Sequence, residues 1–186
     1  MKKVIFYPCT LKECSMTTTE RIVYSQILYR SLWDNESDST FTKKDGQVSI
    51  ETYEYDYGGI VPLGWSVSNS MAKDVNVSRT QFFQAKKNLE DNGYLTDGGI
   101  RLIEGVTATF FELKTTSGLR GLPLIVFSYL SHKCAKYGQV DKYHGAMAEE
   151  LGMDRTNLEH ILTDLRNRHY ITVQYKGRQP LIKTVI

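Results

Sequence analysis

The feature that most constrains this chain is that it repeats itself. Met71-Ala72-Lys73-Asp74-Val75-Asn76-Val77-Ser78-Arg79-Thr80 aligns with Met147-Ala148-Glu149-Glu150-Leu151-Gly152-Met153-Asp154-Arg155-Thr156. The register holds without a gap through Phe82/Leu158, Ala85/Ile161, Leu89/Leu165, Tyr94/Tyr170, Leu95/Ile171 and Thr96/Thr172. Identities and apolar-for-apolar matches fall where a folded unit buries its side chains. The same supersecondary unit is therefore expected twice.

Each copy reads as a short helix, a tight turn and a longer helix. The short helices are expected near 67–74 and 143–151. In the turns, Asn76 and Gly152 stand where a left-handed backbone is needed. Ser78 and Asp154 follow at N-cap positions, able to accept the orphan amide hydrogens of the next helix. That helix carries Phe82, Ala85 and Leu89 in one copy, and Leu158, Ile161, Leu162 and Leu165 in the other, at three- and four-residue spacing. One face is then buried. Gly93 supplies the stop in the first copy.

A third helix is expected before each pair. In the first copy it runs over about 19–33, with Val23, Tyr24, Ile27 and Leu28 inward. In the second it runs over about 123–137, with Pro123 in the first turn and Val126, Phe127, Leu130 and Cys134 on one stripe. A strand pair follows each copy. In the second, 171–175 and 181–185 flank the turn Lys176-Gly177-Arg178-Gln179. In the first, 94–96 leads through Asp97-Gly98-Gly99 to 100–103, and a further strand returns over about 107–114.

The fold class expected is mainly α with small β elements, an α+β chain of two domains, 1–116 and 117–186. Residues 115–121 form the linker. The first copy carries a β-rich insertion over about 34–64, with an Asp45-Gly46 turn and alternation through Tyr53-Glu54-Tyr55-Asp56-Tyr57. The carboxylates alternating with those tyrosines argue against stacking on phosphate-bearing strands. A hairpin packed on the body or on a second subunit is the expectation.

Charge is divided along the chain. Residues 1–116 hold 13 basic and 15 acidic side chains, whereas 117–186 hold 10 and 6. After Asp164 no carboxylate side chain remains, while Arg166, Arg168, Lys176, Arg178 and Lys183 follow. A cationic end of this kind suits a polyanionic partner. Between Asp34 and Tyr57 the insertion holds 7 acidic and 2 basic residues, which accounts for the negative balance of the first half.

Several function classes lack their parts. The basic tip Met1-Lys2-Lys3 leads to an apolar run that ends at Pro8, too short for a secretory leader. No apolar stretch approaches the roughly 18 residues that span a bilayer, so a cytoplasmic protein is expected. Cys9, Cys14 and Cys134 match no disulfide framework or zinc spacing. No glycine-rich phosphate loop with lysine, no nucleophile motif and no metal-ligand spacing occurs. The four histidines are scattered. The chain is expected to be no enzyme and to need no cofactor or metal.

On the residues quoted for the repeat, followed by Leu89-Glu90-Asp91-Asn92-Gly93-Tyr94-Leu95, the first copy resembles the winged helix-turn-helix domains of phage and plasmid replication proteins and of small bacterial transcription regulators. The second copy resembles them more loosely, through Glu149 to Thr156 and Leu165-Arg166-Asn167-Arg168-His169-Tyr170-Ile171. His169 replaces the usual glycine there, so a different helix ending is expected. The resemblance covers most of 66–103 and 123–186.

The resemblance implies that the second helix of each pair enters the major groove of duplex DNA. On the first such helix the candidate contacts are Arg79, Thr80, Gln81 and Gln84, where Arg suits guanine and Gln adenine. Lys73, Lys86 and Lys87 are candidates for phosphate. On the second they are Arg155, Thr156, Asn157 and His160, with Glu159 and Asp164 as unfavourable neighbours. The second strand pair, as a wing, brings Lys176, Arg178 and Lys183 to phosphate or a minor groove. Sequence-specific duplex binding as a transcriptional regulator, possible as a homodimer and on a mobile element, is the leading expectation. A replication initiator of a phage or plasmid is the close alternative. A protein-docking scaffold that never touches DNA is the competitor from another class.

Overall fold

In the computed structural model, which describes residues 4–8, 16–34, 42–44, 47–49, 60–64, 69–101 and 108–185, the sequence repeat is a repeat of backbone hydrogen bonds. A five-residue 3-10 helix, Asn69–Lys73, precedes a 13-residue helix α2, Arg79–Asp91. The second copy has α4, His144–Glu150, before a 13-residue helix α5, Arg155–Asn167. Val77 donates to Ala72 and Met153 to Ala148; Phe82 donates to Ser78 and Leu158 to Asp154. Both turns pass through a left-handed residue, Asn76 at φ 55° and Gly152 at φ 58°. The short element of the first copy is thus a 3-10 turn within 69–73, tighter than the α-helix its pattern predicts.

The caps behave as the residue types require. Ser78 accepts from the Gln81 amide, and the Gln81 side chain accepts from the Ser78 amide. This reciprocal pair satisfies two orphan donors. Asp154 accepts from Thr156 and Asn157. At the other end, Tyr94 donates to Leu89 and Gly93 to Glu90, and the second copy repeats both bonds with Tyr170 to Leu165 and His169 to Arg166. Such pairing closes a helix through one left-handed residue. It is Gly93 in one copy and His169, at φ 62°, in the other. The different ending expected for the second helix does not occur: the backbone tolerates a strained histidine there.

The third helix of each copy takes the same place. Helix α1, Thr18–Asp34, and helix α3, Gly121–Tyr137, are both 17 residues long. Tyr24 of α1 meets Tyr94 edge-on with ring centroids 6.3 Å apart, and Phe127 of α3 meets Tyr170 at 5.3 Å. Arg30 of α1 reaches Asp74 at 3.6 Å, and Lys133 of α3 reaches Glu150, the residue aligned with Asp74, at 3.0 Å. All four residues expected inward on α1 are buried, as are Val126, Phe127 and Leu130 on α3; Cys134 is half-buried. Helix α3 is buried continuously from Leu124 to Ser131, because other elements pack on several of its sides.

The strands form three antiparallel sheets. Strands β1 (Val4–Pro8), β2 (Thr42–Lys44), β3 (Gln47–Ser49) and β7 (Ala108–Glu112) pair in the order β1-β7-β3-β2. Lys44 pairs Gln47, and the turn expected at 45–46 lies outside the described residues. The strand expected to return after 107 joins β1 and β3 instead of the first hairpin. That hairpin, β5 (Leu95–Thr96) with β6 (Gly99–Arg101), takes β4 (Ile60–Val61) as its third strand. In the second copy β8 (Ile171–Lys176) pairs β9 (Gln179–Thr184) along six residues, with Val140 bridged to Ile182 in the place of β4. Lys176 pairs Gln179, so the turn is two residues, Gly177-Arg178, tighter than the four the sequence implies. The tyrosine alternation at 53–57, Cys9 and Cys14 lie outside the described residues.

One cluster of buried side chains runs through both copies, from Met16 and Val23 to Leu165 and Ile182. Burying each large aliphatic side chain contributes about 2 kcal/mol. Residues 115–121 are ordered: Thr115–Ser117 forms a 3-10 turn and Leu119 is buried. One hydrogen bond ties each turn to the other copy's side of the molecule. Asn76 Nδ2 donates to the Leu119 carbonyl at 3.2 Å, and Arg21 Nη1 donates to the Gly152 carbonyl at 3.4 Å. Among the described residues the chain is α+β, with five α-helices and small antiparallel sheets. No described helix is long and apolar enough to cross a membrane.

Candidate functional site

Helices α2 and α5 each bury one face and expose the rest. On α2, Phe82, Ala85 and Leu89 go inward, while Arg79, Thr80, Gln81, Gln84 and Lys87 are exposed. On α5, Leu158, Leu162 and Leu165 go inward, and Arg155, Thr156, Asn157 and His160 are exposed. Lys73, Lys176, Arg178 and Lys183 are exposed as well, and Lys86 is half-buried. The residues expected to meet a partner are therefore at the surface, in two aligned sets.

Their engagement differs. Arg79 lies over the Phe83 ring at 5.4 Å, and Lys86 pairs with Glu90 at 3.7 Å. Gln81 is held by the capping pair with Ser78. Gln84 donates to Asn88, which donates to the buried Glu20 carboxylate at 2.6 Å. Burial pushes the Glu20 carboxyl up, but hydrogen bonds from Asn88 and Thr17 outweigh it and hold it below its ordinary value. Gln84 is thereby oriented along the helix surface, with its carbonyl oxygen left for an outside donor. Lys73 and Lys87 have no carboxylate partner among the described residues.

In the second copy the carboxylate feared near phosphate is consumed locally. Glu159 accepts from Arg155 at 2.8 Å and lies 3.5 Å from His144 Nδ1. The Arg155 bond holds its carboxyl below the usual carboxylate value. Asp164 pairs with Arg168 at 3.2 Å. Lys176, Arg178 and Lys183 on the β8–β9 hairpin have no carboxylate partner among the described residues. They form the least compensated group of cations described, which is the chemistry a phosphate backbone recognises.

The second copy also holds a half-buried polar knot around Glu150. Glu150 accepts from Lys133 at 3.0 Å, from Tyr129 at 2.8 Å, and from Lys142. Burial raises its pKa, yet the bonds from Lys142, Tyr129 and Lys133 more than offset this and keep it lowered. The knot joins α3 to α4 and so positions the turn that launches α5.

Sequence reasoning missed a groove between α5, the start of α4 and the β8–β9 hairpin. It encloses about 650 Å³ and is lined by Arg155, Arg166 and Arg178, with Tyr143 and Tyr175 at its sides and Leu162, Val173 and Pro180 in its walls. Arg166 was legible only as part of a basic tail. Its spacing from Arg155 and Glu159 places the three on one stripe of α5, separate from the Thr156, Asn157 and His160 stripe. No cluster of metal-binding side chains occurs among the described residues. Comparison with family models, with curated proteins and with solved structures finds no match to this chain.

Proposed function

We propose that the chain binds duplex DNA in a sequence-dependent way through two winged helix-turn-helix units, most directly as a transcriptional regulator. Helices α2 and α5 are the recognition helices, and the β8–β9 hairpin is the second unit's wing. The observation that carries this reading is the repeated set of backbone bonds around two capped 13-residue helices, each with a polar face in solvent. Cations at Lys73, Lys87, Lys176, Arg178 and Lys183, which have no carboxylate partner among the described residues, support it, since neutralising phosphates supplies the sequence-independent part of affinity.

The ties from Asn76 to Leu119 and from Arg21 to Gly152 add a geometric argument. They connect the two turns to the opposite sides of the molecule, so both recognition helices are held at one spacing. A protein of this design reads one extended site rather than two independent ones.

Selection from random duplex DNA tests the proposal. A recovered bipartite motif with fixed spacing supports it, and footprints over promoters assign the regulator role. Footprints over repeated sites at an origin assign the initiator role instead. Recovery of no motif, with no binding to any duplex, leaves a protein-docking scaffold as the better account.

A further inference from the structure

The groove beside α5 has no counterpart among the described residues of the first copy. Where α5 carries Glu159 and Arg166, α2 carries Phe83 and Glu90 at the aligned positions. Among the described residues the first hairpin pairs two residues on each side, whereas the second pairs six and extends as far as Tyr175 and Lys176, with Arg178 in its turn. A surface needed merely to seat a duplex would suit both copies alike. This one belongs to the second.

Its chemistry differs from that of the outward face of α5. Tyr143 and Tyr175 are 57% and 60% exposed, an unusual state for two large rings lining the same groove. Arg155 is held by Glu159, which leaves Arg166 and Arg178 as the cations with no carboxylate partner among the described residues. A third exposed ring, Tyr137, lines a smaller hollow of about 270 Å³ with Lys133 and Lys142, and Lys136 lies 5.2 Å over its face. Each of the three rings has a lysine beside it in the chain: Lys136-Tyr137, Lys142-Tyr143 and Tyr175-Lys176. Two carboxylates oppose them, Asp141 in the small hollow and Glu159 in the groove. Duplex DNA hides the faces of its bases, so exposed rings gain nothing from it. An unpaired strand offers both base faces for stacking and phosphates for the cations.

We propose that the groove binds single-stranded DNA, with bases stacked on Tyr143 and Tyr175 and phosphates held by Arg166 and by Arg178, the latter shared with the cations offered to duplex. Its rings and Arg166 lie apart from the Thr156, Asn157 and His160 stripe assigned to duplex, while Arg155 and Arg178 border both surfaces. It does not depend on the duplex reading being right.

The test measures anisotropy of a labelled oligothymidylate of about eight nucleotides, within the length such sites cover, beside a labelled duplex at the same low salt. Tyr143→Ala and Tyr175→Ala are each expected to weaken oligothymidylate binding about thirtyfold, the middle of the range for one stacked base, and to leave duplex affinity within about twofold. Tyr143→Phe and Tyr175→Phe keep the ring and should bind as the unaltered protein does, which separates stacking from misfolding. Thr156→Ala with His160→Ala is expected to weaken duplex only. No binding of oligothymidylate, or equal binding by the alanine variants, overturns the proposal. An equal loss for duplex and single strand also overturns it, by making the groove part of the duplex surface. Oligothymidylate binding without duplex binding sustains it and defeats the proposed function instead.

Discussion

His169 occupies the left-handed position in the second copy that Gly93 occupies in the first, at φ 62° against φ 72°. The two residues accept the same backbone role at different cost, since a side chain in this conformation is disfavoured by about 1–2 kcal/mol. His169→Gly is therefore expected to stabilise the protein by about 0.5–1 kcal/mol once the glycine's extra unfolded freedom is subtracted. Gly93→Ala should cost a similar amount, because nothing stands within 4 Å of the added carbon and the backbone angle alone is penalised. Thermal melts of the two variants check both signs, with shifts of about 2 °C each way.

The cross-molecule ties predict a change in binding geometry as well as in stability. Arg21→Ala with Asn76→Gly removes both bonds while the glycine preserves the left-handed turn. Each lost bond should cost about 1 kcal/mol of stability. Affinity for a duplex bearing both half-sites should fall about tenfold, equal to about 1.4 kcal/mol, and tolerance of altered spacing should rise. A spacing series of duplexes measures this directly. Unchanged spacing preference means that the ties do not set the distance between the helices.

Acid stability should depend on Glu150. Burial raises its pKa and the bonds from Lys142, Tyr129 and Lys133 lower it further than that, so the folded value lies below the ordinary 4.5. For a lowered carboxyl the stabilisation is complete above the unfolded value and is lost as pH falls through the folded one. Glu150→Gln should cost about 2 kcal/mol at neutral pH, because two lysines lose a partly buried partner. The penalty should shrink as pH falls from 4.5 through the lowered folded value, where the native carboxyl also becomes protonated. Urea unfolding at neutral and acid pH reads the difference.

Cations and base-reading groups should separate in their effects. Lys176→Ala and Arg178→Ala should each lower the salt slope of duplex binding by about one and weaken all sequences alike. Arg79→Ala and Gln84→Ala should instead relax sequence preference. Competition with altered duplexes distinguishes the two patterns. Four variants with unchanged affinity and preference would contradict the assignment of these faces to DNA.

Much of the fold was legible because the repeat constrains it twice. Ser78 and Asp154 mark the helix starts by side chains that cap, and Phe82/Leu158 and Leu89/Leu165 mark the buried stripe by spacing. Those signals are local. The partner of β7 was not legible, since pairing with β1 joins residues about a hundred positions apart and strand pattern says nothing of which edge is free. His169 misled because residue type suggests where a left-handed turn is comfortable, whereas the second helix closes with the same pair of backbone bonds, Tyr170 to Leu165 and His169 to Arg166, without a glycine. The exposed ridge of the candidate site could be listed from helical spacing. Its engagement could not: Arg155 with Glu159 lies on one helix, but Gln84 reaches Glu20 only through Asn88 and across to α1. The groove at Arg166 and Tyr175 needs the hairpin folded over α5, which no spacing in the sequence encodes.

The most direct measurement is the salt dependence of binding to duplex DNA of random sequence. With several uncompensated cations meeting phosphates, clear binding is expected at about 50 mM salt, with the logarithm of affinity falling linearly against that of salt and a loss of a hundredfold or more by about 200 mM. No binding at the lower concentration, or binding indifferent to salt, contradicts the account.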